Sequence, residues 1–385
     1  MVAAQRFDAL VVGAGPAGST AAFRLARGGA RVLLADRATF PRDKPCGGGL
    51  TYRALRLLPF SVEPVVEEEI DIFELGLGYR RRFVRRTDRP MVVMTQRRRL
   101  DVFLVEQARK AGVDVREGAK VELSPLAVDG EPIDAAVVIG ADGVNGMTAK
   151  HLGLATHEHE VALEANVPHG TVDRSRYARR AVVEFGIVPG GYGWVFPKGD
   201  HVNVGVGGWL HQGPRLRDHL ARLCNEHGIP AEALTETRGY RLPLRRPGSS
   251  PFRDRTALIG DAAGLVDPVS GDGIYEALLS SKLAAAAALD IVAGRSADFS
   301  RYAAELHRAL APSAAASWRA KLALERFPNL AFTLLQAPQA WRAMEQLMRG
   351  EAAHPAAIGG PGGLALRAAE QLARLAGDPG RAFAT

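Results

Sequence analysis

Apolar positions fall along this chain in three patterns. The first is a set of short unbroken runs at residues 7–12 (FDALVV), 31–35, 137–143 (VVIGADG) and 256–260 (TALIG). Runs of this length predict strands buried on both faces, the habit of parallel sheets. The second pattern has helical spacing. Ala17, Ala21, Ala22 and Leu25 follow the first run, and a helix is expected over 216–227. Beyond Ser296 come Tyr302, Leu306 and Leu310, then Trp318, Leu322 and Leu324, with a final helix near 363–376 after a Gly-Pro linker. The third pattern is alternation. Residues 189–207 (PGGYGWVFPKGDHVNVGVG) form two runs rich in aromatic and β-branched residues around a polar Lys198-Gly199-Asp200 turn, which predicts a hairpin. Tyr192, Trp194 and Phe196 lie two apart and share one face of its first strand. Three aromatics on one face cover something large and apolar.

These patterns predict an α/β fold in three parts. The nucleotide-type domain is discontinuous, over residues 1–75, 96–150 and 253–295. A mostly antiparallel β lobe over 76–95 and 151–252 contains the hairpin, and residues 296–385 form a helical region.

Composition changes the picture little. Of 385 residues, 47% are hydrophobic and 24% charged, an ordinary globular balance with room for two domains. The longest apolar run, Leu283 to Leu289, is far too short to cross a bilayer. No secretory layout opens the chain, and Cys46 and Cys224 offer no disulfide framework, so a cytoplasmic protein is expected. The net charge of +7 is local: the segment 80–99 holds nine arginines and one acid, and the remainder is close to neutral. That excludes a general nucleic-acid coat. A solvated face, contact with an anionic membrane surface and phosphate binding all stay open for the segment. The His157-Glu158-His159-Glu160 run reads as solvated surface rather than a metal site, having no third ligand in view.

Chemistry enters at residues 13–18 (GAGPAG). A strand, this glycine turn, a helix and a second strand ending at Asp36 form the dinucleotide fingerprint in its required context. Gly13 permits the turn, Gly15 lets a pyrophosphate approach the backbone, and Gly18 lets helix and strand pack closely. Pro16 and Ala17 open the helix whose N-terminus carries the phosphates, while Asp36, with Arg37 beside it, meets the ribose. Further cofactor contacts are expected from Arg97, from Asp142 and Gly143, from Gly260 and Asp261, and from the Pro268 to Ile274 turn with Gly271 and Gly273. That second helix start favours negative charge, such as the pyrimidine end of a reduced flavin carries. No second GxGxxG follows a strand, so one dinucleotide is held and any nicotinamide visits without a domain of its own.

GAGPAG, the Arg97/Asp101 pair, ADG at 141–143 and GDAAG at 260–264 resemble the single-Rossmann FAD oxidoreductases of the para-hydroxybenzoate hydroxylase type. Within that group, Lys44-Pro45-Cys46-Gly47-Gly48-Gly49-Leu50 and the hairpin pattern PxxYxWxFPKxxxxxVGxG, matched from Pro189 to Gly207, look like the geranylgeranyl reductase family. The likeness runs from residue 7 to about 295. It implies FAD as cofactor, NADPH or another external electron donor, and reduction of C=C bonds in a polyprenyl lipid, with peripheral membrane contact an open question. On this likeness Cys46, Gly47 and Gly48 lie against the flavin ring. Gly49, Tyr192, Trp194 and Phe196 meet the substrate, and Lys198 faces its polar head group or solvent. Cys46, Tyr192 and an ordered water stand as proton donors. A flavin hydroxylase on the same fold is the alternative, and a lipid carrier without turnover a second; the halogenase WxWxIP stretch is absent.

Overall fold

Alternate residues of the first strand, Gln5–Val12, enter two different cores. Ala9 and Val11 face the helices Pro16–Arg27 and Ile274–Val292 and pack with Ala21, Leu25, Ala284 and Ala288. Phe7, Leu10 and Val12 face the opposite side, closed by an antiparallel ribbon of Val121–Leu123 and Leu126–Val128. Both faces are thus covered, which is why the run shows no polar alternation. The apolar run within Ile274–Val292 is likewise a core helix.

The structure is a computed structural model that describes residues 4–154, 159–244 and 249–364, with residue 371. Its first sheet runs from Phe252–Arg253 through Thr256–Leu258, Glu131–Gly140, Gln5–Val12 and Val32–Asp36 to Asp114–Glu117. All of these strands pair in parallel except the edge strand Phe252–Arg253. The mixed α/β architecture matches the expected fold class.

A seven-stranded sheet lies across the carboxyl ends of the first. Its order is Thr235–Pro243, His159–Pro168, His201–Trp209, Tyr192–Pro197, Arg180–Phe185, Ile72–Leu77 and Arg81–Arg86. One face packs on the helix Leu216–Glu226 through Val182, Val195, Val204, Leu220 and Cys224. Cys224 is 1% exposed and belongs to that core. The other face carries Tyr192, Trp194 and Phe196. A small third sheet, Gly49–Thr51, Val92–Met94 and Glu68–Ile70, links the two. The strand Ile72–Leu77 crosses the expected boundary at residue 75, and Val92–Met94 pairs with Gly49–Thr51 of the first segment.

The C-terminal helices Ser300–Arg326, Pro328–Leu335 and Pro338–Arg349 wrap both sheets. Tyr302 is buried and donates to the Leu258 carbonyl at 2.7 Å, while Trp318 stacks on Trp209. Phe332 packs on Phe83, and Trp341 on Phe73. Most of the helix expected near 363–376 lies outside the described residues, as does His157.

The arginine segment is not one basic face. Arg81 and Arg85 donate to Asn329, Thr333 and the Gln336 carbonyl, Arg82 pairs with Glu74, and Arg89 with Glu351. Arg97 is buried against Asp101, and Arg99 reaches Glu67. Arg81 and Arg85 therefore fasten the edge strand to the C-terminal helices. No helix among the described residues is long and apolar enough to cross a membrane.

Candidate active site

A cavity of about 1290 Å³ lies between the two large sheets. It starts at the fingerprint glycines, passes under the aromatic hairpin and ends among the C-terminal helices. Gly13 has φ +100°, and a Cβ there would fall 2.5 Å from the Ala141 carbonyl oxygen, so only glycine fits. At Gly18 a Cβ would lie 1.8 Å from the Gly13 carbonyl oxygen, which is the close helix–strand approach expected of it. Gly15 differs. Its absent side chain points at Arg42 and Arg97, with the two guanidiniums 3.4 and 3.8 Å from a Cβ position. Two cations beside an open backbone at a helix N-terminus suit a pyrophosphate.

Arg97 is aimed by its own helix. Its Nε and Nη2 donate to Asp101 one turn on, at 2.8 and 2.9 Å, and Arg42 approaches the same carboxylate at 3.1 Å. Asp101 is fully buried. Asp36 accepts from the Ala14 and Ala38 amides, which ties its carboxylate to the cavity wall beside Arg37. Asp142 accepts from the Met147 and Thr148 amides and so shapes the loop at Gly143. Across the cavity, Asp261 accepts from Lys44 at 3.0 Å and Tyr240 at 3.1 Å. Although burial opposes its charge, Lys44, Arg97 and Tyr240 together hold the Asp261 carboxyl below the usual range. The Gly271–Ile274 turn also lines the cavity, but Asp272 caps its own helix by accepting from the Ile274 amide. That helix start therefore carries an acid of its own.

Three expected cofactor contacts lie within the walls rather than on them. Gly18 is the packing residue described above. The Gly260 amide donates to Ser280, and a Cβ there would press on Ala17. The Pro268 carbonyl accepts from Lys321 at 3.0 Å.

The Lys44–Gly49 loop lies directly against the aromatic face. A Cβ on Gly47 would come within 3.1 Å of the Phe196 ring, and one on Gly48 within 2.1 Å of the Thr95 carbonyl oxygen. Cys46, Gly47, Gly48, Gly49, Tyr192, Trp194 and Phe196 all line the cavity. Trp194 lies flat over Gly205, where a Cβ would fall 2.1 Å from its ring, and donates from Nε1 to Asn203 at 2.8 Å. Tyr192 donates to the Ser270 carbonyl, and burial pushes its phenol pKa well above the ordinary value. Lys198 does not meet a head group or solvent. Its side chain is 4% exposed and donates to the Cys46 carbonyl at 3.0 Å, because the turn docks against Glu67 and the glycine loop.

Two acids on this face escape a local reading. Strand pairing places Glu160 opposite Trp209 and Glu164 opposite Gly205, itself opposite Trp194. Glu164 accepts from the Cys46 amide at 2.8 Å, and burial raises its pKa against the pull of Lys198. Glu160, expected on the surface, is 4% exposed and lies 2.5 Å from the Lys321 ammonium. Burial still pushes its carboxyl up to about 7. Period-two spacing shows that Glu160 and Glu164 share a strand face, but it does not reveal which other strand lies beside them.

The FAD binding domain family matches residues 6–286 of this chain. A geranylgeranyl diphosphate reductase of Rhodobacter capsulatus is 34% identical over 316 residues, covering 76% of this chain and 78% of its own. The chain belongs to the geranylgeranyl reductase family of FAD-dependent oxidoreductases. A digeranylgeranylglycerophospholipid reductase 2 of Methanothermobacter thermautotrophicus is 30% identical over 74% of this chain and 79% of its own. Among solved structures, a geranylgeranyl bacteriochlorophyll reductase-like protein of Thermoplasma acidophilum superposes with a TM-score of 0.76 at 22% identity, covering 91% of this chain and 98% of its own. The flavin-dependent brominase Bmp2 shares the fold at 17% identity and a TM-score of 0.74, covering 95% of this chain and 98% of its own.

In this family member the far half of the cavity is apolar. Phe73, Leu75, Ala181 and Val183 from the sheet face Phe327, Leu330, Leu334, Trp341, Met344 and Met348 from the C-terminal helices. By sequence Phe332, Leu334, Leu335 and Trp341 suit a core helix, a hydrophobic cap on a substrate tunnel or a membrane-facing surface; in the structure Leu334, Leu335 and Trp341 line the cavity.

Proposed function

We propose that the chain saturates isolated C=C bonds of a polyprenyl chain carried by a lipid, quinone or other isoprenoid. The observation that carries this reading is continuity: one cavity joins the dinucleotide cradle, the Trp194 wall and a long apolar extension. A polyprenyl tail is flexible and apolar, so it gains from such a slot and needs few polar contacts there. FAD, when bound and reduced, supplies a hydride to one alkene carbon. The protein's own contribution is to hold the alkene flat against Trp194 and Phe196 and to keep water out. The second carbon needs a proton. Tyr192 is engaged with the Ser270 carbonyl and is a weak acid, so the Cys46 thiol on the cavity wall is the donor in this reading. Electrons enter from NADPH or another external donor, and the partly exposed Leu330 at the cavity wall lets a membrane-borne tail enter.

The test is anaerobic. Enzyme-bound flavin is reduced with dithionite and mixed with geranylgeranyl diphosphate or a geranylgeranylated quinone while flavin absorbance is followed. Reoxidation in the absence of oxygen is expected. Tight lipid binding with no reoxidation would instead mark a carrier.

A further inference from the structure

The loop at residues 44–48 has no regular structure, and its glycines give it every freedom to move. Yet its central residue, Cys46, is held on both sides. The Cys46 N–H donates to Glu164 Oε1 at 2.8 Å, and the Cys46 carbonyl accepts from Lys198 Nζ at 3.0 Å. The two partners come from different strands. Glu164 lies on His159–Pro168, and Lys198 stands one residue past Tyr192–Pro197; the strand His201–Trp209 between them sets their spacing. Gly205 on that strand, opposite both Glu164 and Trp194, leaves room for the indole to lie over it.

A half-buried carboxylate and a buried ammonium are costly unless they are used. Here each is spent on one of the two peptide groups that flank Cys46: the carboxylate on the N–H of the Pro45–Cys46 peptide, the ammonium on the C=O of the Cys46–Gly47 peptide. Lys198 also stands 2.7 Å from a Cβ position on Gly48, which confines the loop two residues beyond Cys46.

We propose that Glu164 and Lys198 are positioning residues that clamp the backbone on both sides of Cys46 and so fix its thiol at the cavity wall. The clamp itself stands on this geometry; its effect on turnover rests on the reductase reading above.

The test uses full-length, FAD-loaded protein. Iodoacetamide modification of Cys46 is followed by peptide mass, with buried Cys224 as internal reference. Glu164→Ala and Lys198→Met are each expected to raise the Cys46 rate about tenfold or more, the factor that follows from losing one hydrogen bond to a charged group. Glu164→Gln keeps an acceptor for the amide and is expected to stay within about twofold of wild type. In steady-state turnover with geranylgeranyl diphosphate, Glu164→Ala lowers kcat with KM little changed, and Glu164→Gln recovers most of it. FAD content and melting temperature establish that each variant is folded. Wild-type modification rates in folded Glu164→Ala would overturn the clamp, as would a Gln variant as reactive as the Ala variant. A responsive thiol in an enzyme that turns over no prenyl substrate would leave the clamp standing and defeat the reductase reading.

Discussion

Trp194→Ala is the substitution that most directly probes the aromatic wall. The indole is 8% exposed and forms the middle of a row with Tyr192 and Phe196, at ring-centre distances of 6.0 and 6.3 Å. One of its faces lies on Gly205, and the ring lines the cavity. A tryptophan presents about 150–250 Å², so its 8% exposure leaves about 20 Å² for a substrate to cover directly. At about 25 cal/mol per Å² this amounts to about 0.5 kcal/mol, or a two- to threefold fall in kcat/KM. Trp194→Phe keeps most of the area but leaves Asn203 without its indole donor, a cost of about 1–3 kcal/mol taken mainly in stability. The assay is kcat/KM with a geranylgeranyl substrate, alongside FAD content and thermal melting. Unchanged kcat/KM in an FAD-loaded Trp194→Ala variant would refute the reasoning and make the row plain core.

Gly15→Val and Gly18→Ala should separate cofactor binding from folding. The first places methyls between Arg42 and Arg97 in otherwise open space, so a normally melting protein without yellow colour is expected; the second drives a Cβ into the Gly13 carbonyl and should lower the melting temperature itself. Asp101→Ala leaves Arg97 buried without its partner, a cost of about 3–5 kcal/mol by analogy with broken buried pairs, read as loss of both melting temperature and FAD retention. Glu160 gives a pH signature. Its carboxyl is raised from 4.5 to about 7 by burial, so the fold favours the protonated acid: that stabilisation is full below about pH 4.5 and is lost as pH climbs through 7, at most roughly 3 kcal/mol. Glu160→Gln should flatten the fall in melting temperature between pH 5 and 8, and an unchanged slope would place the titration elsewhere.

What was legible in the sequence was whatever a short stretch must satisfy by itself. Gly13 takes a positive φ in its own turn and Gly18 approaches the Gly13 carbonyl, so the fingerprint reads locally even though Ala141 also crowds Gly13. The hairpin reads locally for the same reason, since its two strands adjoin. Lys198 did not, because a turn lysine reads as solvated, and only docking against Glu67 and the glycine loop buries it. Glu160 and Glu164 reach the aromatic face through pairing with a strand some 40 residues on, a register no local period encodes. The partners of the arginine run were not legible locally either. Helices about 250 residues later supply acceptors for Arg81 and Arg85, and these are neutral groups that leave both charges in place.

Product mass is the most direct measure of the central claim. With flavin reduced anaerobically and a geranylgeranyl compound supplied, the account requires a gain of two mass units for each bond saturated, with no need for oxygen. A gain of sixteen, appearing only when oxygen is admitted, would contradict it and make the protein a hydroxylase.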